Sequence, residues 1–258
     1  MDYKRPKVTL LQASPLFVSE IAARVCYDSF DMSENKNIKS FAEDGSGLTA
    51  MQVEDIEGSD VLDKLTWSFF HESILEHTTL SFFVEDLSRE ILQEVARHRI
   101  GMAISVKSTR YTIESLVNAY CDLRDCAIDE QQKYTDKLVD VVSKNIIVSN
   151  RDWVLIEAKA IHDKLDLYDL EEPLVKGLKG SKKKKQNDRV KRCLPETWTT
   201  KTVLTFNIRA LKHFIELRDS GSAYYGIREL AEELIAKTPE KYMRFIKKPK
   251  DLKTVEGH

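Results

Sequence analysis

Between His71 and Tyr111 the spacing of apolar residues changes period, and that change constrains what the surrounding chain can become. From Thr79 to Glu85, Leu80, Phe82 and Val84 alternate with Thr79, Ser81, Phe83 and Glu85, the pattern of a strand with one buried face. Beyond Ser88, a residue suited to an N-cap, Ile91, Leu92, Val95 and Ala96 recur at helical spacing, with Glu90 in the first turn. The stretch predicts a strand followed by a short helix, whose C-terminal end carries Arg97, His98 and Arg99.

Two guanidiniums and an imidazole side by side repel one another unless an anion lies among them. Just beyond, Ser105, Lys107, Ser108, Thr109, Arg110 and Tyr111 add hydroxyls, a further guanidinium fork and a ring. Together these suit a phosphate and a planar heterocycle. The plainer alternative is a helix end carrying cations that complement its dipole.

The rest of the chain sets limits. With 258 residues, 42% of them hydrophobic, there is enough for a substantial core. A net charge of −2 gives no global reason to expect nucleic acid or an anionic membrane. No apolar run approaches a membrane span and the first residues carry no secretory pattern, so a cytoplasmic protein is expected. Cys26, Cys121, Cys126 and Cys193 form no CxxC and no zinc pattern, and none has an evident catalytic setting. His71, Glu72, Glu76 and His77 lack the HExxH spacing that brings two imidazoles one turn apart, so no metal is expected there.

Residues 7–12 read as an opening strand and Pro15–Tyr27 as a helix with Phe17, Ile21, Ala22 and Val25 inward. Residues 28–66 read as a polar insertion with one short helix, and 171–190 as a second insertion whose Ser181–Arg189 segment is a basic loop. Residues 113–170 are helical in pattern, without Pro or Gly. Leu204, Ile208, Leu211 and Ile215 mark one face of a long helix ended by Arg218, and Ile227, Leu230, Ala231 and Leu234 mark the next.

The motifs resemble those of flavin-dependent thymidylate synthases. The resemblance rests on Arg97-His98-Arg99 with Ser108-Thr109-Arg110-Tyr111 after it, on His71-Glu72-Ser73 with Glu76-His77, and on Leu194-Pro195-Glu196, Asn207–Arg218 and Ala223–Leu230, in the family's order. It implies a single domain over residues 1–258 with an α+β fold, a small mixed sheet packed by helices. It also implies methylation of dUMP at C5 to dTMP, with methylenetetrahydrofolate as carbon donor, FAD as cofactor and NADPH as reductant. A homotetramer with flavin sites shared between subunits is implied too. By resemblance, His71, Ser73, Arg97, His98, Arg99, Asn207, Arg209 and His213 contact the flavin. Glu94, Arg97, Lys107, Ser108, Thr109, Arg110, Lys191 and Arg218 contact dUMP, and Arg218 is the catalytic residue.

Three departures from the family are visible. Eight residues separate Arg99 from Ser108 where most members have seven, and Val106 and Lys107 stand where Glu or Gln is common. Lys191 stands where the family has an arginine for the nucleotide phosphate, unless Arg192 takes that place. A rival reading is a nucleic-acid-binding module that uses Arg97–Arg99 and Lys182–Lys185 on phosphates.

Overall fold

A computed structural model describes residues 3–36, 38–39, 55–56 and 58–248. The insertion expected over 28–66 lies partly outside them, as does the frayed C-terminal end. Four strands, β1 (Lys7–Ala13), β2 (Thr79–Ser88), β3 (Met102–Val106) and β4 (Thr199–Asn207), form one sheet in the order β1-β2-β4-β3. Its pairings run antiparallel. Ser14 N donates to Thr79 O, Ile208 N to Thr78 O, Asn207 N to Gly101 O and Lys107 N to Lys201 O. The α+β class expected from the sequence is present, with an antiparallel sheet where a mixed one was expected.

The chain divides into two compact units, one of Met1–Lys7, Val84–Val95 and Ser105–Thr202, the other of Val8–Phe83, Ala96–Ile104 and Val203–His258. In the first unit lie α3 (Arg89–Val95), the one-turn α4 (Thr109–Thr112), α5 (Glu114–Arg124), α6 (Gln131–Asn145), α7 (Arg151–Glu171) and α8 (Gly180–Val190). The expected Ser88 cap holds, its Oγ accepting from Ile91 N at 3.3 Å. Helix α3 ends at Val95, so Arg97–Arg99 follow it as a turn instead of forming its last residues. Tyr120, Leu138, Val142, Ile161, Leu165 and Trp198 belong to this unit's buried core. The expected basic loop is a helix. Gly180 enters α8 at φ +59°, where a Cβ would be strained, and Gln186, Asn187 and Val190 are its buried residues. The amides fix it: Gln186 bonds both ways with the backbone of Val175, and Asn187 donates to Arg110 O.

The second unit holds α1 (Phe17–Tyr27), α2 (Asp60–Trp67), a 3-10 helix at Glu72–His77, α9 (Ile208–Arg218), α10 (Tyr225–Lys237) and α11 (Glu240–Ile246). Phe82 of β2, Phe206 of β4 and Phe214 of α9 pack in series at steep angles, with ring centroids 6.5 and 5.5 Å apart. Leu204 lies in β4 and not in the helix. The alternation of Thr200, Thr202, Leu204 and Phe206 inward continues to Asn207, whose side chain accepts from Ala210 N at 2.8 Å and starts α9. Ile227, Leu230, Ala231 and Leu234 of α10 are buried as expected, and the helix begins after Tyr224 without a side-chain cap. Helix α1 turns differently from the expectation. Phe17, Glu20, Ala23 and Arg24 are buried and Val25 is exposed, because Glu20 and Arg24 pair with each other and Ser33 Oγ donates to Glu20.

Candidate active site

In the second unit a cleft of about 460 Å³ is lined by Arg97, His98, Arg99, His213 and Arg218, with Phe206 and Leu217 among its apolar walls. The Nε–H of Arg218, at the C-terminal end of α9, donates to Nε2 of His98 at 3.0 Å. That bond makes Nε2 the lone-pair nitrogen, so the ring proton sits on Nδ1. The ring itself lies 4.8 Å from Phe214 and 6.1 Å from His213.

Two clefts of about 370 Å³ each lie in the same unit and share Glu72 and Arg209. One is lined by Cys26, Tyr27, His71 and Ser73, the other by Asn207, Lys212 and His213. Glu72 accepts a charged hydrogen bond from Lys212, and Glu76 accepts one from Arg209. Lys212 is buried, and its ammonium also lies 4.2 Å from the centre of the Trp67 ring. Tyr27 Oη and His71 Nδ1 are 3.0 Å apart. The expected flavin contacts His71, Ser73, Arg97, His98, Arg99, Asn207, Arg209 and His213 thus all fall in this unit, together with Arg218.

Gly101 is held at φ +70°, with its carbonyl accepting from Asn207 N. A Cβ there would come within 2.5 Å of the Asn207 amide. Only glycine allows the backbone after Arg97–Arg99 to lie so close to the cap of α9.

Glu94, Lys107, Ser108, Thr109, Arg110 and Lys191 fall in the first unit. Ser108 precedes α4 and makes no side-chain cap bond. Lys107 is fixed through its backbone, which receives Thr200 Oγ1 and donates to Lys201 O. Asp188, which the sequence did not single out, gathers two of the expected dUMP contacts. Its Oδ2 accepts from Arg110 Nε at 3.1 Å and its Oδ1 from Lys191 Nζ at 3.1 Å. The Lys191 ammonium, with Arg110 behind it, holds the Asp188 carboxyl below the usual carboxylate range. Two cations of α8 are similarly engaged: Lys183 donates to Glu114 and Lys184 lies over the Tyr111 ring.

Two thiols are poor candidates for chemistry. Cys193 and Cys121 are both fully buried; burial pushes the Cys193 thiol up to about 11 and raises Cys121 as well. Among the described residues the grouping able to offer three metal-ligand atoms is His162, Asp163 and Asp166 on α7. Lys159 and Tyr120 already donate to its two carboxylates. Among the described residues no helix is long and apolar enough to cross a membrane.

A family model described as thymidylate synthase complementing protein matches residues 9–242. The flavin-dependent thymidylate synthase of Wolinella succinogenes is 32% identical over 91% of this chain and 94% of its own length. That of Campylobacter jejuni is 30% identical over 92% and 93%. Two crystal structures of thymidylate synthase X from Helicobacter pylori, both with FAD and dUMP, share the fold. They superpose with TM-scores of 0.59 and 0.62 at 24% and 23% identity, each over 93% of this chain and 97% of theirs. On the matched residues and this identity over most of its length, the chain belongs to the flavin-dependent thymidylate synthase family.

Proposed function

We propose that the protein methylates C5 of dUMP to give dTMP, taking the carbon from methylenetetrahydrofolate and the reducing hydride from FAD recharged by NADPH. The observation that carries this reading is the Arg218–His98 contact inside a cleft lined by Arg97, Arg99 and His213. The donor set suits a flavin dinucleotide. Guanidiniums and imidazoles meet a pyrophosphate, apolar walls meet a ring system, and the glycine at 101 keeps side-chain bulk away from the turn. Bound there, the flavin supplies the hydride that completes the methyl group.

The side chains bind, orient and stabilise charge. C5 of uracil becomes nucleophilic when the N3 proton leaves and negative charge spreads over the ring. A fixed guanidinium beside that charge lowers the cost, and this role falls to Arg218. His98 acts as a positioning residue by accepting from Arg218 Nε. Arg97, Arg99, His98, Asn207, Arg209 and His213 hold the flavin, with His71 and Ser73 serving it from a neighbouring subunit of a homotetramer. Glu94, Arg97, Lys107, Ser108, Thr109, Arg110 and Lys191 hold dUMP. Arg110 and Lys191 are the phosphate pair, and Asp188 occupies both cations until the phosphate displaces it.

The test is direct. Purified protein should be yellow, its absorbance bleached by NADPH without air, and it should form dTMP from dUMP and methylenetetrahydrofolate. A colourless preparation that stays inert after FAD is added would overturn the assignment.

A further inference from the structure

Helix α7 carries two apolar faces, and only one of them is buried in its own unit. Val154, Ala158, Ile161 and Leu165 point into the core. On the opposite side Trp153, Ile156, Ala160, Asp163, Leu167 and Leu170 recur at intervals of three and four over the helix's 21 residues, the a and d positions of a heptad seam. Ile156 is 57% exposed, Leu167 66% and Leu170 83%. A stripe of this kind on a surface helix, apolar except at Asp163, marks an interaction site.

The charges flanking the stripe say what covers it. Asp152, Lys159 and Asp166 line one edge, and Glu157, Lys164 and Glu171 line the other. Two copies of α7 side by side and parallel would set one edge against the other, placing Lys159 against Lys164 and Asp152 against Glu157, which repel. Turned antiparallel about a two-fold axis, each edge meets itself. Glu157 then faces Lys164 of the second copy, twice over, and Lys159, which also holds its own Asp163, faces an Asp166 that already accepts from Tyr120, while Trp153 meets Leu170 and Ile156 meets Leu167. The small Ala160 lies opposite Asp163, whose carboxylate Lys159 already neutralises on its own helix at 2.9 Å.

We infer that the outer face of α7 is a self-association surface, on which a second copy of this chain docks its own α7 antiparallel across a two-fold axis. A homotetramer names no surface, whereas this inference does, and it stands on α7 whether or not the flavin chemistry is as proposed.

The experiment uses the full chain. Ile156→Glu combined with Leu167→Glu should halve the number of subunits in the native mass while the circular dichroism stays unchanged. Glu157→Lys should weaken the same contact, and adding Lys164→Glu should restore it. For orientation, chains bearing Ile156→Cys and Leu167→Cys are mixed and oxidised, and the disulfides are mapped. Cross-links between positions 156 and 167 are expected. An unchanged mass in the double glutamate variant would overturn the surface. Cross-links only between identical positions would overturn the antiparallel arrangement.

Discussion

The Nε–H of Arg218 and Nε2 of His98 are joined at 3.0 Å, so the guanidinium at the end of α9 is held by an imidazole from the turn that follows β2 and α3 in the chain. If Arg218 steadies charge on the uracil ring, Arg218→Ala should lower kcat by roughly 10²–10³-fold or more while bound flavin absorbance is largely kept. His98→Ala leaves the guanidinium but loosens it. A fall of about 10²-fold in kcat with a smaller change in KM for dUMP is expected. Steady-state kinetics with flavin quantified per subunit checks both. Loss of flavin with normal turnover per remaining site would show that Arg218 has a binding role instead.

Asp188 should oppose substrate binding. Arg110→Ala removes a charged hydrogen bond of about 1.5–3 kcal/mol, so KM for dUMP should rise roughly 10–100-fold. Asp188→Asn releases the Arg110 and Lys191 cations and should lower KM, a change opposite in sign. Titrating both variants with dUMP separates competition from support: a raised KM in Asp188→Asn would mean that the carboxylate only positions the cations.

Gly101→Ala places a methyl group within 2.5 Å of the Asn207 amide and forces an L-residue to φ +70°. A loss of about 1–3 kcal/mol in urea unfolding is expected. The start of α9 is disturbed with it, so activity should fall further than stability alone accounts for.

Stability should also fall in alkali. Unfolded, the Cys193 thiol ionises near its ordinary value of about 8.5, whereas folded it keeps its proton to about 11. Between these values the unfolded state holds fewer protons, so unfolding becomes easier as pH rises, by at most about 1.4 kcal/mol per pH unit. Cys193→Ala should flatten that slope in denaturant midpoints measured from pH 8 to 10.5.

Much of this was legible where apolar period and local chemistry agree. The β2 alternation, the Ser88 cap and the inner face of α10 follow from neighbours in sequence. What was missed depends on partners far along the chain. Strand β4 turns Thr200 and Thr202 inward, and buried threonines do not register as a hydrophobic repeat. Helix α8 buries amides satisfied by Val175 and Arg110, so its lysine run looked like a loop. Asp188 and the Glu72–Lys212 pair join residues 78 and 140 positions apart, which no local pattern announces.

The Lys212 ammonium against the Trp67 ring has a practical use. A cation over an indole alters its fluorescence, and the same indole donates to Arg244 O at 3.1 Å, tying it to α11. Trp67 is therefore a native optical gauge of α9. Emission from a chain in which Trp153 and Trp198 are replaced by Phe would report, without an added dye, any displacement of the helix that carries Arg209, His213 and Arg218.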